Sequence, residues 1–144
     1  MSDKKLEEVY FFLLERTVRQ FRKFSQRELS KREIDISGEQ WVVLKRANEH
    51  PGVTQKEIAE STYKDPASVT RMIDLLEKRN FVVRKSSDGD RRSYGIHLTK
   101  EGKEFVQRVL PLAEEMRSFG LKNVSENDKK VFLEVLNKIY ENLE

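Results

Sequence analysis

Residues 65–102 read DPASVTRMIDLLEKRNFVVRKSSDGDRRSYGIHLTKEG, and this stretch decides the fold. It begins with Asp65, a residue type that caps helices, followed by Pro66 at the first helical position. Proline is favoured at that position because the backbone N–H that it lacks would make no hydrogen bond within the helix. Apolar residues then recur at the spacing that places them on one side of an α-helix. They are Val69, Met72, Ile73 and Leu76. The pattern predicts an amphipathic helix whose opposite side faces solvent.

The apolar spacing changes from helical to alternating in the second half of this stretch. Residues 81–84 and 94–98 each alternate between two faces, and Ile96 and Leu98 are expected to point inward. The segment between them, 86–92, is polar and contains a glycine. Two alternating segments joined by such a linker predict a β-hairpin with a long, charged tip.

Two further helices are predicted before this stretch. Two residue pairs have the spacing of a capping box, Ser37 with Gln40 and Thr54 with Glu57. In a capping box the side chain of each partner accepts a hydrogen bond from the backbone N–H of the other. The first of these helices ends at residues 50–52, His-Pro-Gly. Its expected buried face consists of Trp41, Leu44 and Ala47. Three short helices followed by a hairpin are the order of a winged helix-turn-helix.

A long helix is predicted at the start of the chain, from about Lys5 to Leu29. Residues 10–14 are consecutive apolar residues, so that turn is apolar on all sides. A turn of this kind has to be covered on all sides, and in a chain of 144 residues a second subunit is the natural cover.

Two helices are predicted after the hairpin. Thr99 caps the first, Pro111 is expected to kink or break it, and Gly120 is a plausible end. Ser125 caps the second, whose apolar face consists of Val131, Val135, Leu136 and Ile139. Both ends of the chain therefore carry more apolar surface than one small domain is expected to bury.

The predicted fold class is mainly α with a small β-hairpin wing (α+β). We expect residues 1–144 to form a single domain. Within it, about 37–98 form the winged helix-turn-helix, and about 1–36 and 99–144 form N- and C-terminal dimerisation helices.

A helix-turn-helix places its second helix in the major groove of DNA and reads base edges with side chains near that helix's N-terminus. Arginine can bond guanine with two N–H groups, hydroxyls can bond bases or phosphates, and alanine can meet a thymine methyl. The residues expected to do so are Pro66, Ala67, Ser68, Thr70 and Arg71. Thr54 and Gln55 begin the preceding helix, where free backbone N–H groups favour a DNA phosphate.

The hairpin tip carries Arg91 and Arg92 beside Asp90. An arginine on a rigid ribbon suits the narrow minor groove, where negative potential is concentrated, and a nearby aspartate can orient it. These three residues are therefore predicted to form the second DNA contact.

With these motifs in place, the sequence resembles the MarR family of transcription regulators. The resemblance rests on the reading helix, on Arg84 at the end of the first wing strand, on Asp90-Arg91-Arg92, and on the Leu98–Gly102 segment, LTKEG. Asn80 departs from the glycine that is usual in the family, but asparagine tolerates the left-handed conformation needed there.

The resemblance implies a homodimer whose terminal helices interdigitate, a double-stranded DNA operator with pseudo-palindromic symmetry, and repression of transcription. It implies that Arg92 enters the minor groove, that Asp90 supports the wing, and that Arg84 belongs to the DNA-binding set. It also implies release from DNA by a small aromatic or phenolic compound, with Phe12, Trp41 and Met116 as candidate lining residues.

Composition and motifs narrow the alternatives. The net charge is only +3, and the chain has no cysteine, which excludes disulfides, thiolate metal sites and thiol-based sensing. His50 and His97 lack partners at metal-ligand or catalytic spacing, so we expect no enzyme activity, no metal and no cofactor. No segment reads as a signal peptide or membrane span, and a cytoplasmic location without membrane contact is expected.

One alternative of another class stays open, a winged helix used only as a protein-interaction module, because a fold does not dictate function. Salt-sensitive binding to duplex DNA separates the two hypotheses, since an interaction module should show none at physiological salt.

Overall fold

The computed structural model describes residues 2–87 and 90–144, with the side chains of residues 87 and 90–93 excepted. A short 3-10 turn, Leu6–Glu8, is followed by helix α1, Tyr10–Lys31. The predicted start of the first helix at Lys5 is therefore wrong. Val9 is extended and separates the turn from the helix, and the Glu8 side chain accepts a hydrogen bond from the Lys5 backbone N–H at 3.2 Å.

The predicted helix-turn-helix elements are present. Helix α2 spans Gly38–Glu49, α3 spans Gln55–Thr62 and α4 spans Pro66–Lys78. The Ser37 capping box is complete: the Gln40 N–H donates to Ser37 Oγ, and the Ser37 N–H donates to Gln40 Oε1, both at 3.1 Å. Thr54 Oγ1 accepts from the Glu57 N–H at 3.1 Å, but within the described part of the chain the return bond from the Glu57 side chain is not formed.

The wing consists of strands β2, Val82–Ser87, and β3, Asp90–Leu98. A strand of two residues, β1, Val53–Thr54, pairs with β3. Over the described residues the sheet is antiparallel with the order β1-β3-β2. Val53 pairs with Ile96, and Ile96 pairs on its other side with Arg84. The sequence did not predict β1, because two residues are too few to show an alternating pattern.

The core lies where α2, α3 and α4 pack on one another, with α2 and α3 against β3 and α4 against β2. Ile96 is fully buried, as predicted, while Leu98 is half-buried. Trp41 and Met72, predicted on buried faces, are also only half-buried. Among the described residues, the apolar side chains that are 2% exposed or less are Ile36, Val43, Leu44, Ala47, Ile58, Val69, Ile73, Leu76, Val82, Ile96, Val106 and Val109.

The chain groups into two compact units, Met1–Ala113 and Glu114–Glu144. Helix α5, Lys100–Gly120, continues through Pro111, so the break considered from the sequence does not occur. Helix α6, Glu126–Asn142, is capped by Ser125, whose Oγ accepts from the Asp128 N–H at 3.1 Å. In the part of the chain that the structure describes, no helix is both long and apolar enough to cross a membrane.

Apolar side chains at both ends of the chain are exposed. In the first turn of α1, Tyr10 is 73% exposed and Phe11 is 58% exposed. The exposed apolar residues of α6 are Val131, Phe132, Leu133, Val135 and Tyr140. These surfaces include the apolar turn and part of the apolar face recognised in the sequence.

The start of α5 is fitted closely against the end of α4. Thr99 caps α5, because its Oγ1 accepts from the Gly102 N–H at 3.0 Å and donates to the Asn80 carbonyl at 2.5 Å. Asn80 has φ +62°, the left-handed conformation expected there. A Cβ added at Gly102 would lie 2.0 Å from the Phe81 carbonyl oxygen, so this position admits only glycine without a backbone shift.

We expect Gly102→Ala to lower the free energy of unfolding by about 1–3 kcal/mol, because overpacking at a backbone contact forces the two segments apart. Gly38→Ala is the matched control, since a Cβ at Gly38 meets nothing within 4 Å. Urea unfolding at equal protein concentration measures both variants. Equal stability of the two would contradict the packing argument.

Candidate nucleic-acid interface

The reading helix α4 begins at a fixed position because Asp65 holds its first turn. The Asp65 carboxylate accepts from the Ser68 N–H at 3.1 Å and from the Ser68 hydroxyl at 3.3 Å. Pro66 occupies the first turn, as the sequence predicted. The two features fix the helix N-terminus, where the side chains predicted to read DNA bases lie.

The predicted reading residues lie together on the outer side of this turn. Pro66, Ala67, Thr70 and Arg71 are exposed, and Ser68 is half-buried. Arg71 Nη2 donates to Ser68 Oγ at 3.0 Å, so Ser68 links the cap to the arginine. A guanidinium has five N–H donors, and this bond uses one of them. The arrangement holds Arg71 in place and leaves it the chemistry to grip a base edge.

Thr54 and Gln55, predicted to meet a phosphate, both make bonds inside the protein. The Thr54 hydroxyl caps α3, as described above. Gln55 Nε2 donates to Thr70 Oγ1 at 3.0 Å, and Gln55 Oε1 accepts from Arg84 Nε at 2.7 Å. The Thr70 hydroxyl in turn donates to the Pro66 carbonyl at 3.1 Å. Gln55 therefore connects the wing strand to the reading helix.

Arg84 makes three bonds to other elements. Besides Gln55, its Nη2 lies 2.6 Å from Asp74 Oδ1, and its Nη1 lies 2.9 Å from Glu77 Oε1. Its side chain is only 21% exposed. The sequence placed Arg84 in the DNA-binding set, and a direct contact with DNA stays a prediction. Asp74 and Glu77 were not recognised as its partners, although two carboxylates three residues apart on one helix face are a visible signal.

The predicted minor-groove contact lies outside the described residues, because the side chains of Asp90, Arg91 and Arg92 are not among them. Below the tip the two strands pair regularly, from Val82 opposite Leu98 to Ser86 opposite Tyr94, and the register shifts between Ser86 and Ser87, which pairs with Asp90. A paired ribbon of this kind suits the rigid support that a minor-groove arginine requires.

The candidate effector residues have different surroundings. Phe12 is 37% exposed, Trp41 is half-buried, and Met116, in the second unit, is 7% exposed. An open groove of about 860 Å³ follows α1 and contains none of the three; its lining is Gln20, Lys23, Gln26, Arg27, Ser30 and Lys31. Among the described residues no cluster of histidine, aspartate or glutamate has the grouping that holds a metal ion.

Comparisons with known proteins agree with this geometry. Residues 36–94 match the model of the MarR family. An uncharacterised HTH-type transcriptional regulator of Bacillus cereus (strain ZK / E33L) is 27% identical over 145 residues, which cover 100% of this chain and 95% of that protein.

Two solved structures share the fold. The MepR–DNA complex of S. aureus has a TM-score of 0.86 at 23% identity, with 94% of this chain and 99% of that chain covered. Bordetella bronchiseptica BpsR, whose DNA binding is regulated by 6-hydroxynicotinic acid, has a TM-score of 0.83 at 19% identity, with coverages of 97% and 99%.

Asp65→Ala is expected to lower the free energy of unfolding by about 1 kcal/mol, because the first turn of α4 loses its side-chain cap. Asp65→Asn is the matched control, since asparagine caps helices about as well as aspartate. Chemical denaturation of both variants is the measurement. A loss of stability in Asp65→Asn as large as in Asp65→Ala would show that the charge, and not the cap, matters.

Proposed function

We propose that this chain is a winged helix-turn-helix transcription regulator of the MarR family, which binds DNA and represses transcription as a homodimer on a pseudo-palindromic operator. The observation that carries the proposal is the capped N-terminus of α4, which presents Ala67, Thr70 and Arg71 to solvent. Those side chains have the chemistry that reads base edges in the major groove.

The proposed reading mode uses both grooves. The start of α4 enters the major groove, while Arg91 and Arg92 on the wing contact the adjacent minor groove, with Asp90 orienting them. In a twofold dimer two such units meet the DNA, so the half-sites lie about 10 base pairs apart, centre to centre.

The argument for a dimer is the apolar surface at the two ends of the chain. Large apolar side chains that are exposed next to one another on a helix indicate a protein–protein interface. Phe11 is 58% exposed in α1, and Phe132 and Leu133 are 50% and 60% exposed in α6. Obligate interfaces bury on the order of 2,000 Å² or more, and we propose that both terminal helices contribute to that area.

The proposal includes release from DNA by a small aromatic or phenolic compound. Its support is the family resemblance, together with the small aromatic acid that regulates the structurally similar BpsR. Phe12, Trp41 and Met116 stay candidate lining residues. Since the chain has no cysteine, thiol oxidation is not the trigger.

Selection of duplexes from a random pool by the purified full-length protein tests the function. An enriched motif with inverted symmetry, bound more weakly as salt rises, is the expected result. Binding that is absent at every salt concentration would contradict DNA recognition and favour the protein-interaction module.

Arg71→Ala and Arg92→Ala should weaken DNA binding in different ways. Loss of Arg71 is expected to cost roughly 1–3 kcal/mol on the selected duplex and much less on a scrambled one, because base contacts carry discrimination. Loss of Arg92 should weaken binding to both duplexes. It should also reduce the slope of the logarithm of the binding constant against the logarithm of the salt concentration by about one unit, the value for one lost phosphate contact. Titrations of both duplexes across a salt series measure this. Parent-like binding by both variants would refute the reading mode.

A charge placed on the apolar face of α6 should disrupt the dimer. Val135 is 45% exposed in the single chain, so Val135→Asp disturbs little unless a second subunit covers it. We expect the parent to sediment as a dimer at micromolar concentration and Val135→Asp to dissociate or aggregate. The neighbouring exposed residue provides the control, Glu134→Gln, which should stay dimeric. A folded, monomeric parent would contradict the dimer.

A further inference from the structure

One chain of hydrogen bonds runs from the wing to the reading surface of α4. Arg84 Nε donates to Gln55 Oε1 at 2.7 Å, Gln55 Nε2 donates to Thr70 Oγ1 at 3.0 Å, and the Thr70 hydroxyl donates to the Pro66 carbonyl at 3.1 Å. Every donor in this series points the same way, away from Arg84. Thr70 is exposed on the side of α4 that carries Arg71.

The direction of this series follows from the chemistry of its first member. Arginine is a donor only, so the end of the Gln55 amide that faces Arg84 must be its oxygen. The amide nitrogen is then the end that faces Thr70, and because that nitrogen only donates, Thr70 Oγ1 must accept. The Thr70 proton is thereby directed to the Pro66 carbonyl.

A hydroxyl has one donor and two acceptor lone pairs. In Thr70 the proton and one lone pair are used by Pro66 and Gln55, so the hydroxyl can offer DNA only the other lone pair. In the major groove the groups that can donate to it are the N6 amino group of adenine and the N4 amino group of cytosine. Guanine and thymine present acceptors at the corresponding edge. Such an acceptor would face the remaining lone pair of the Thr70 hydroxyl without a hydrogen between them.

Arg84 is held too firmly to turn away from Gln55. Asp74 and Glu77 of α4 bind its two other nitrogens at 2.6 and 2.9 Å, and its side chain is 21% exposed. Bonds between ionised groups are stronger than neutral ones, and here they join β2 to the same helix that carries Thr70. The guanidinium therefore has one stable orientation in the folded protein.

We propose that Thr70 is a specificity-determining residue that selects adenine or cytosine over guanine or thymine on the contacted strand, and that Arg84 is the positioning residue that sets this preference through Gln55. The inference rests on the proposed DNA-reading function. Without Arg84 the Gln55 amide is free to turn and no longer holds its N–H on Thr70 Oγ1. The Thr70 side chain can then adopt its second helical rotamer, in which the hydroxyl leaves the Pro66 carbonyl and can donate to DNA as well as accept.

Selection from random duplexes with the full-length protein and its variants tests this proposal position by position. The parent should discriminate against guanine and thymine at one position of each half-site by about tenfold, the value of one good base contact. Arg84→Ala and Gln55→Ala should broaden the preference at that same position, Thr70→Val should abolish it, and Thr70→Ser should keep it.

Lys85→Ala is the matched control for charge. Lys85 neighbours Arg84 on β2, is exposed, and makes none of the bonds in this series. Its loss should weaken binding to all duplexes alike and leave the motif unchanged, because phosphate contacts carry no sequence information. A merely structural role of Arg84 would lower affinity without broadening the preference at one position.

The outcomes separate the inference from the function on which it rests. A parent that enriches no motif refutes the proposed function. A parent motif that Arg84→Ala and Gln55→Ala both reproduce at every position overturns this inference and leaves the function standing. Thermal unfolding accompanies each variant, and if Arg84→Ala does not fold, Gln55→Ala decides the question, since it leaves the Arg84 ion pairs with Asp74 and Glu77 in place.

Discussion

An arginine on the inward face of a strand is the constraint on which the wing and the reading helix both depend. Arg84 is two residues from the fully buried Val82, so the pleat of β2 directs both side chains to the same side. A charge at the edge of a core needs partners, because an unpaired buried charge is strongly unfavourable. Asp74, Glu77 and Gln55 provide them, and the wing is thereby joined to α3 and α4.

The chain carries two kinds of apolar surface with different meanings. The winged helix-turn-helix has a well-buried core of its own, as Ile58, Ile73 and Ile96 illustrate, although Trp41 and Met72 are only half-buried. The first turn of α1 and the face of α6 instead leave large apolar side chains exposed. One part therefore presents polar groups at fixed positions, and the other leaves apolar surface exposed, which is the surface on which the proposed dimer rests.

The family model and the similar whole proteins cover different extents of the chain. The family model matches residues 36–94, which contain the helix-turn-helix and most of the wing, whereas the Bacillus cereus regulator and the similar solved structures extend over nearly the whole chain at 19–27% identity. The residues that carry the motif are held by caps and ion pairs of specific chemistry. The terminal helices need only an apolar face of the right length, and many sequences satisfy that requirement.

Local structure could be predicted from the amino-acid sequence alone. Ser37, Thr54, Asp65 and Ser125 begin their helices as predicted, because a cap bonds to a backbone N–H about three residues away. Only the tertiary structure decided the pairing of β1 and the partners of Arg84, since Gln55 is 29 residues away from Arg84 along the chain and no periodicity connects them. Val9 fits the helical spacing of its apolar neighbours, and only its extended backbone shows that α1 starts at Tyr10. Contacts between elements depend on how the apolar faces pack together, and a pattern read along one segment does not contain that information.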